Sequence, residues 1–169
     1  IVAHRSRLDS LVELEERRAD LSAGARALLD VKLDGRLGTV SDLLDVPAEF
    51  EAATLAALGV NINAVVMSNV STAGRAIGYL MGGEKQRALV ANADVKGDQR
   101  GAGLPKGPGV QGFLVDILDP NAHHDLIRHL LFDAVLVSDF KAGLALAKSG
   151  WTGCVVSLAG ERLDGQTMF

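Results

Sequence analysis

The sequence predicts an α/β fold built from two pseudo-repeated subdomains of short strands and helices, with an N-terminal coiled-coil stub. Three observations predict it. First, Gly38-Thr39-Val40-Ser41-Asp42-Leu43-Leu44-Asp45 returns as Gly112-Phe113-Leu114-Val115-Asp116-Ile117-Leu118-Asp119, with the glycine and both aspartates at the same offsets. Second, Ala64-Val65-Val66-Met67-Ser68-Asn69 is answered by Ala134-Val135-Leu136-Val137-Ser138-Asp139, and Ala73-Gly74 by Ala142-Gly143. A fainter echo sets Arg87-Ala88-Leu89-Val90 against Gly153-Cys154-Val155-Val156. Third, 48% hydrophobic residues with only 4% aromatics, in a chain of 169, suit aliphatic helices lying on short buried strands. Two copies are too few for a solenoid or a propeller.

In chain order, Leu8, Leu11, Leu14 and Leu21 give a heptad-like spacing over 8–21, with Glu13 and Arg17 as a flanking pair four residues apart. A short helix over 25–31 runs into the turn Asp34-Gly35. The first repeat then reads as a strand over 37–44 and a helix over 50–58 that begins near Val46-Pro47 and stops at Gly59. A strand over 64–67 and a helix through Leu80, capped by Ser71-Thr72, come next, and Gly82-Gly83 breaks that helix before a strand over 88–91. Five glycines and two prolines between Lys96 and Gly109 oppose helix and sheet alike and mark a linker over 95–110. The second repeat reads as a strand over 113–118, a helix over 122–131, a strand over 134–137, a helix over 141–148 and a strand over 154–158. Trp151 reads as a packing anchor. The tail after Arg162 has no readable periodicity. The divisions are therefore 1–21, 22–94, 95–110 and 111–169.

The composition excludes several classes of function. A net charge of -4 argues against a surface devoted to nucleic acid, though it allows a local basic patch. One cysteine, Cys154, excludes an intrachain disulfide or a Cys-x-x-Cys site, and its apolar surroundings predict a buried strand thiol. No apolar run approaches the ~18 residues of a membrane span and no signal peptide precedes the first element, which predicts a cytoplasmic protein. The start at Ile1 and the abrupt end at Phe169 suggest a piece of something longer.

Neither a Walker-type phosphate loop nor a strand-linked Gly-x-Gly-x-x-Gly is present, so no cofactor is expected. There is also no Gly-x-Ser-x-Gly elbow, and no catalytic residue is proposed. His123, His124 and His129 gather near Asp119 and Asp125, but only Asp125 and His129 have the four-residue spacing that brings ligands onto one helix face, and no metal is expected. The repeated aspartates Asp42, Asp45, Asp116 and Asp119 read as strand closures or helix caps.

Taken as an ordered set, these segments resemble the hinge domain of the SMC (structural maintenance of chromosomes) proteins, most closely the bacterial form. The resemblance is carried by Gly24 to Leu29, Gly38 to Leu44, Phe50 to Gly59, Ala64 to Val66 and Ala76 to Leu80 in the first half. In the second it runs from Gly112 to Asp119 and through Leu130-Leu131, Val135 to Asp139, Ala142 to Ala147 and Val155 to Glu161. It implies a dimerisation module of a chromosome-organising ATPase, with ATP bound only at heads outside this chain. The hinge would join two arms of a long coiled coil, with 8–21 as the end of the incoming arm, and would pair with a second copy, half one of each against half two of the other.

Exposed strand edges and glycines would form such a seam, with Gly82, Gly83, Leu89, Val90, Val155, Val156 and Gly165 as candidates. Asp164 to Met168 matches the first part of the family's glycine-rich motif; the second glycine group is absent. Leu89 to Asp94 departs from the family's usual Phe-Leu-Pro-Leu type strand end. The resemblance also implies weak, sequence-indifferent DNA contact in a nucleoid-associated protein. Candidates are Arg5, Arg7, Arg17, Arg18, Arg26 and Lys32 near the coil junction, and Lys96, Arg100 and Lys106 in the linker. From a different class, a small-molecule-binding or enzymatic α/β domain with a site between the halves is the rival reading. A zinc hook is excluded by the lack of Cys-x-x-Cys.

Overall fold

In a computed structural model, residues 21–83, 87–96, 103–118, 124–164 and 167–168 are described. The predicted arm over 1–20 lies outside them. The elements in order are α1 (Ala23–Asp30), β1 (Arg36–Thr39), α2 (Ala48–Leu58), β2 (Val65–Met67), α3 (Val70–Gly82), β3 (Val90–Asn92), β4 (Val110–Phe113), α4 (Leu114–Ile117), α5 (His124–Leu130), β5 (Val135–Val137), α6 (Phe140–Lys148), β6 (Cys154–Ser157), β7 (Arg162–Asp164) and β8 (Thr167–Met168).

The strands form two sheets, ordered β1-β2-β3 and β4-β5-β6-β7-β8. Their first three strands are built alike. β1 and β4 run antiparallel to β2 and β5, and β3 and β6 run parallel to them. Each antiparallel pair also has a register break at the same place, between Arg36 and Gly38 and between Val110 and Gly112. Both glycines have positive φ, 124° and 157°.

Local chemistry explains where elements stop. The predicted strand over 37–44 ends at Thr39, because Asp42 Oδ2 accepts from both the Thr39 amide and its hydroxyl at 2.8 Å and turns the chain into a short 3-10 helix, Ser41–Leu43. In the second half the chain likewise leaves the sheet after Phe113, and 114–117 is helical where a strand was expected. Val40 and Leu114 make the matching last ladder bonds, to the carbonyls of Ala64 at 3.0 Å and Ala134 at 2.8 Å. Asp42 thus fulfils the strand-closing role expected of the repeated aspartates, whereas Asp116 pairs with Arg128 at 3.3 Å. The cap of α3 is Asn69, two residues before the expected Ser71-Thr72: its side chain accepts from the Thr72 amide and the Thr72 hydroxyl accepts from the Asn69 amide. Asp139 caps α6 with the same side-chain bond, accepting from the Ala142 amide at 2.9 Å without the reciprocal one, and its bonds from Ala142 and Ser138 hold its carboxyl below the ordinary range.

The two halves share one core. Val66, Leu58, Ala53 and Ala57 from the first pack with Val135, Leu136, Val156 and Leu163 from the second, and α2 lies against β6 and β7. Val65 and Met67 point the other way, as strand alternation requires, into a smaller cluster with Leu28, Ala25, Ala76 and Leu80. Trp151 stacks at a tilt on Phe113, with ring centroids 6.4 Å apart, as an anchor at the edge of the main core. Gly160 brings the β6–β7 turn close to α2, where a Cβ would lie 3.2 Å from the Ala52 carbonyl oxygen.

A guanidinium spans the two halves as well. Arg162 Nη1 on β7 donates to the carbonyls of Ala56 at 2.9 Å and Ala57 at 3.1 Å, in the last turn of α2, while Nε and Nη2 reach Asp164 Oδ2 at 2.9 and 2.8 Å. Arg36 caps α1 in a similar way, with Nη1 donating to Leu28, Leu29 and Val31 carbonyls at 2.8, 2.7 and 2.6 Å. Both place a cation on helix carbonyls that have no partner within the helix.

Candidate dimer interface

β3 is one of the two edge strands of the first sheet among the described residues, β1 being the other. Leu89 O accepts from Val65 N at 2.9 Å, and Ala93 N donates to Met67 O at 2.8 Å. Since alternate residues of a strand direct their backbone groups to alternate sides, Leu89, Ala91 and Ala93 face β2, and the N–H and C=O of Val90 and Asn92 face outward. The corresponding side of β6 is already occupied by β7, with Val155 opposite Leu163. Among the described residues the first half therefore lacks, at the same place in the repeat, the strand that completes the second.

Beside this edge lies an apolar groove of about 880 Å³. Val60, Ile77, Met81 and Leu89 line it together with Gly83 and Arg87. Val60 is 75% exposed and Met81 81%, far beyond what a core-facing residue shows. Ser22 fixes one end of the groove, its hydroxyl donating to the Arg87 carbonyl at 2.7 Å. Gly24 lets α1 approach the same carbonyl, since a Cβ there would lie 2.4 Å from it.

Of the seam residues expected from sequence, Gly83 and Leu89 line the groove, Gly82 is the last residue of α3 before it, and Val90 begins β3 with its side chain packed on the smaller cluster. Val155 and Val156 do not line the groove. Their side chains are 2% and 0% exposed and β6 is paired on both sides, so they belong to the interior. Gly165 lies outside the described residues, although β7 and β8 flank it and β8 forms one edge of the second sheet among them, β4 the other. Val60, Ile77 and Met81 went unread in the sequence, because apolar residues on a helix or beside a glycine look the same whether they face the core or the solvent.

Arg26, Lys32, Lys96 and Lys106 are exposed, while Arg5, Arg7, Arg17, Arg18 and Arg100 lie outside the described residues. His129 is exposed on α5, and His123, the His124 side chain and Asp119 fall outside. Among the described residues no three His, Cys, Asp or Glu side chains gather as a metal site, and no helix is long and apolar enough to cross a membrane.

Cys154 is buried on β6, and desolvation pushes its thiol up to about 12. Ionisation is thus favoured in the unfolded chain, and folding stability should decline as pH rises from the ordinary thiol range near 9 towards 12. The expected result at pH 8 is negligible alkylation of the native chain and rapid alkylation in denaturant, read by mass spectrometry; fast native labelling would place the thiol outside the core.

Two curated relatives, the chromosome partition proteins Smc of Lactiplantibacillus plantarum and Myxococcus xanthus, are each 28% identical over 94% and 95% of this chain. The chain spans 14% of the length of each. Among solved structures, one described as an asymmetric dimer of the Geobacillus stearothermophilus SMC hinge domain matches with a TM-score of 0.82 at 23% identity, covering 98% of this chain and 71% of that one. The Pyrococcus furiosus SMC hinge domain matches at 0.70 and 19%, covering 92% and 82%. These two likenesses carry the fold. Residues 33–147 match the family described as SMC proteins Flexible Hinge Domain, well over half of the sequence, and the chain belongs to that family.

Proposed function

We propose that this chain is the point at which two copies of a longer chromosome partition protein join, β3 of each receiving β8 of the other. The observation that carries the reading is the outward row of Val90 and Asn92 backbone groups beside the groove of Val60, Ile77, Met81 and Leu89. An open strand edge next to exposed apolar surface is a site for strand addition. A two-fold pair of such chains uses each of these two margins once per copy, leaving β1 and β4 as the outer strands of each joined sheet. Residues 1–21 then end one coiled-coil arm, 22–94 and 111–169 are the two halves, and 95–110 connects them. Catalysis and ATP binding belong to parts of the longer protein, which acts in the cytoplasm at the nucleoid. The name of the relatives, chromosome partition protein, and the dimer described for the G. stearothermophilus hinge support this reading.

Sedimentation equilibrium tests it. The expected mass is twice 17.7 kDa without added ligand. A particle of 17.7 kDa at every concentration, stabilised by a metabolite, would return the reading to the small-molecule class. Against that class, the junction of the halves is filled by core side chains, and among the described residues the groove by β3 is lined by those of the first half.

DNA contact is the second part of the proposal, through Arg26 and Lys32 with the basic residues of the arm, and Lys96 and Lys106 with Arg100. With a net charge of -4, binding of a labelled duplex should be weak and fall steeply with salt, irrespective of sequence. Charge reversal at Arg26 and Lys32 should lower the salt slope by about two. No binding at low ionic strength would remove this part and leave the dimer untouched.

A further inference from the structure

We propose that Arg162 is a positioning residue for pairing, holding the two margins of one copy at the spacing at which they meet the other copy. The inference rests on the dimer reading above. Its basis is where the guanidinium reaches. On one side Nη1 holds the Ala56 and Ala57 carbonyls at the end of α2. From that end the chain passes through Gly59 into the 3-10 segment Gly59–Asn63, whose Val60 and Asn63 line the groove beside β3. On the other side Nε and Nη2 hold Asp164 Oδ2, and Asp164 is the β7 residue paired with Thr167 of β8. One side chain therefore ties the helix end that leads into the groove-lining segment of the first half to β7, on which the edge strand β8 of the second is paired.

Gly59 makes room for this contact. It ends α2 at φ 52°, and a Cβ there would lie 3.1 Å from Arg162 Nη1. A planar fork with several donors can serve the helix end and the carboxylate at once, whereas a lysine ammonium concentrates its donors at one point and would satisfy one or the other. In a closed two-fold pair both margins must engage together, so their relative placement sets the effective concentration of the second contact once the first has formed. Loosening the tie should weaken pairing beyond any loss of folding stability.

Arg36 supplies the control, since it caps α1 by the same kind of bonds but sits on β1, at the far edge of the first sheet from β3. Arg162→Ala should raise the dimer dissociation constant by about tenfold or more, by sedimentation, with Arg162→Lys restoring only part. Arg36→Ala should lower the melting temperature comparably and leave the dissociation constant within about threefold of wild type, as expected for a site remote from the seam. Asp164→Asn, a milder change that keeps the helix contacts, should give an intermediate weakening and serves if Arg162→Ala does not fold. Equal weakening by Arg36→Ala, or wild-type pairing in both Arg162→Ala and Asp164→Asn, would overturn the inference and leave the dimer standing. A wild-type chain that stays monomeric would instead overturn the dimer reading and this inference with it.

Discussion

Asn92→Pro should convert the dimer to a folded monomer. Among the described residues the outward N–H of Asn92 bonds nothing within its own sheet, because the β2-facing backbone groups are those of Leu89, Ala91 and Ala93. Proline removes that donor and its ring obstructs an incoming strand, yet proline is tolerated on an edge strand when its missing N–H faces away from the sheet. The native side chain contributes two local bonds, accepting from the Asp94 amide at 3.0 Å and donating to the Asp94 carbonyl at 3.3 Å, both exposed, so the folding cost should stay within about 2 kcal/mol. A two-fold dimer loses the contact twice, and at about 1.5 kcal/mol for each the dissociation constant should rise roughly 100-fold. Ala91→Pro is the opposing control: its N–H faces β2, and the substitution should disrupt the first sheet itself. Sedimentation and far-UV circular dichroism read the two effects separately. An Asn92→Pro chain that still pairs at wild-type affinity would show that β3 is not the seam.

How much of this was legible in the sequence follows from which residues local geometry constrains. The repeat was readable because Gly38 and Gly112 carry the same ladder irregularity, and Asn69 and Asp139 the same cap. Its third echo slipped by one residue. Sequence likeness set Leu89 against Val155, but the ladders place Val90 there, since Val65 faces Val90 and Val135 faces Val155. In strands of three or four apolar residues nothing but pairing fixes the register, and a slip of one reverses every side chain. The same lack of signal put Val155 and Val156 on a seam: Gly-Cys-Val-Val reads alike in a central strand and at an edge. β7 and β8, three and two residues long, were too short to register at all.

The shared core was hidden for another reason. α2 has apolar residues all round, with Ala53, Ala57 and Leu58 buried but Leu55 48% exposed, and a helix without a stripe does not announce which surface it will cover. Its partner, the β6–β7 surface, lies about a hundred residues away. Only the glycine at position 160 and the arginine at 162 hint at it, through a close approach and a long-range clamp that become visible once the chain is folded.

Gly35→Ala and Gly109→Ala should each destabilise the fold by about 3 kcal/mol, combining a left-handed backbone penalty with overpacking. Periodicity placed the second of these in the linker, but the repeat reaches back to it. Gly35 has φ 82° and Gly109 φ 75°, and their carbonyls accept from Ser68 and Ser138 at 2.7 and 2.8 Å. A Cβ at Gly35 would lie 2.6 Å from Ser68 Oγ and 2.7 Å from Thr72 Cγ2; at Gly109 it would lie 2.5 Å from Ser138 Oγ and 2.6 Å from Ala142 Cβ. Both turns thus seat their glycine against the first turn of the helix that follows the central strand, so the cost has a conformational and a steric part. Gly150→Ala isolates the first part: φ is 97° but nothing lies within 4 Å of the added carbon, and the loss should be about 1 to 2 kcal/mol. Ala142→Gly in the Gly109→Ala background should recover some of the steric part, despite the cost of glycine in a helix. At about 2–4 °C per kcal/mol for a chain of this size, each turn variant should melt near 10 °C below wild type, against about half that for Gly150→Ala. Equal losses at Gly35, Gly109 and Gly150 would mean that the close seating of the two turns is not real, and with it the matched geometry on which the duplicated halves rest.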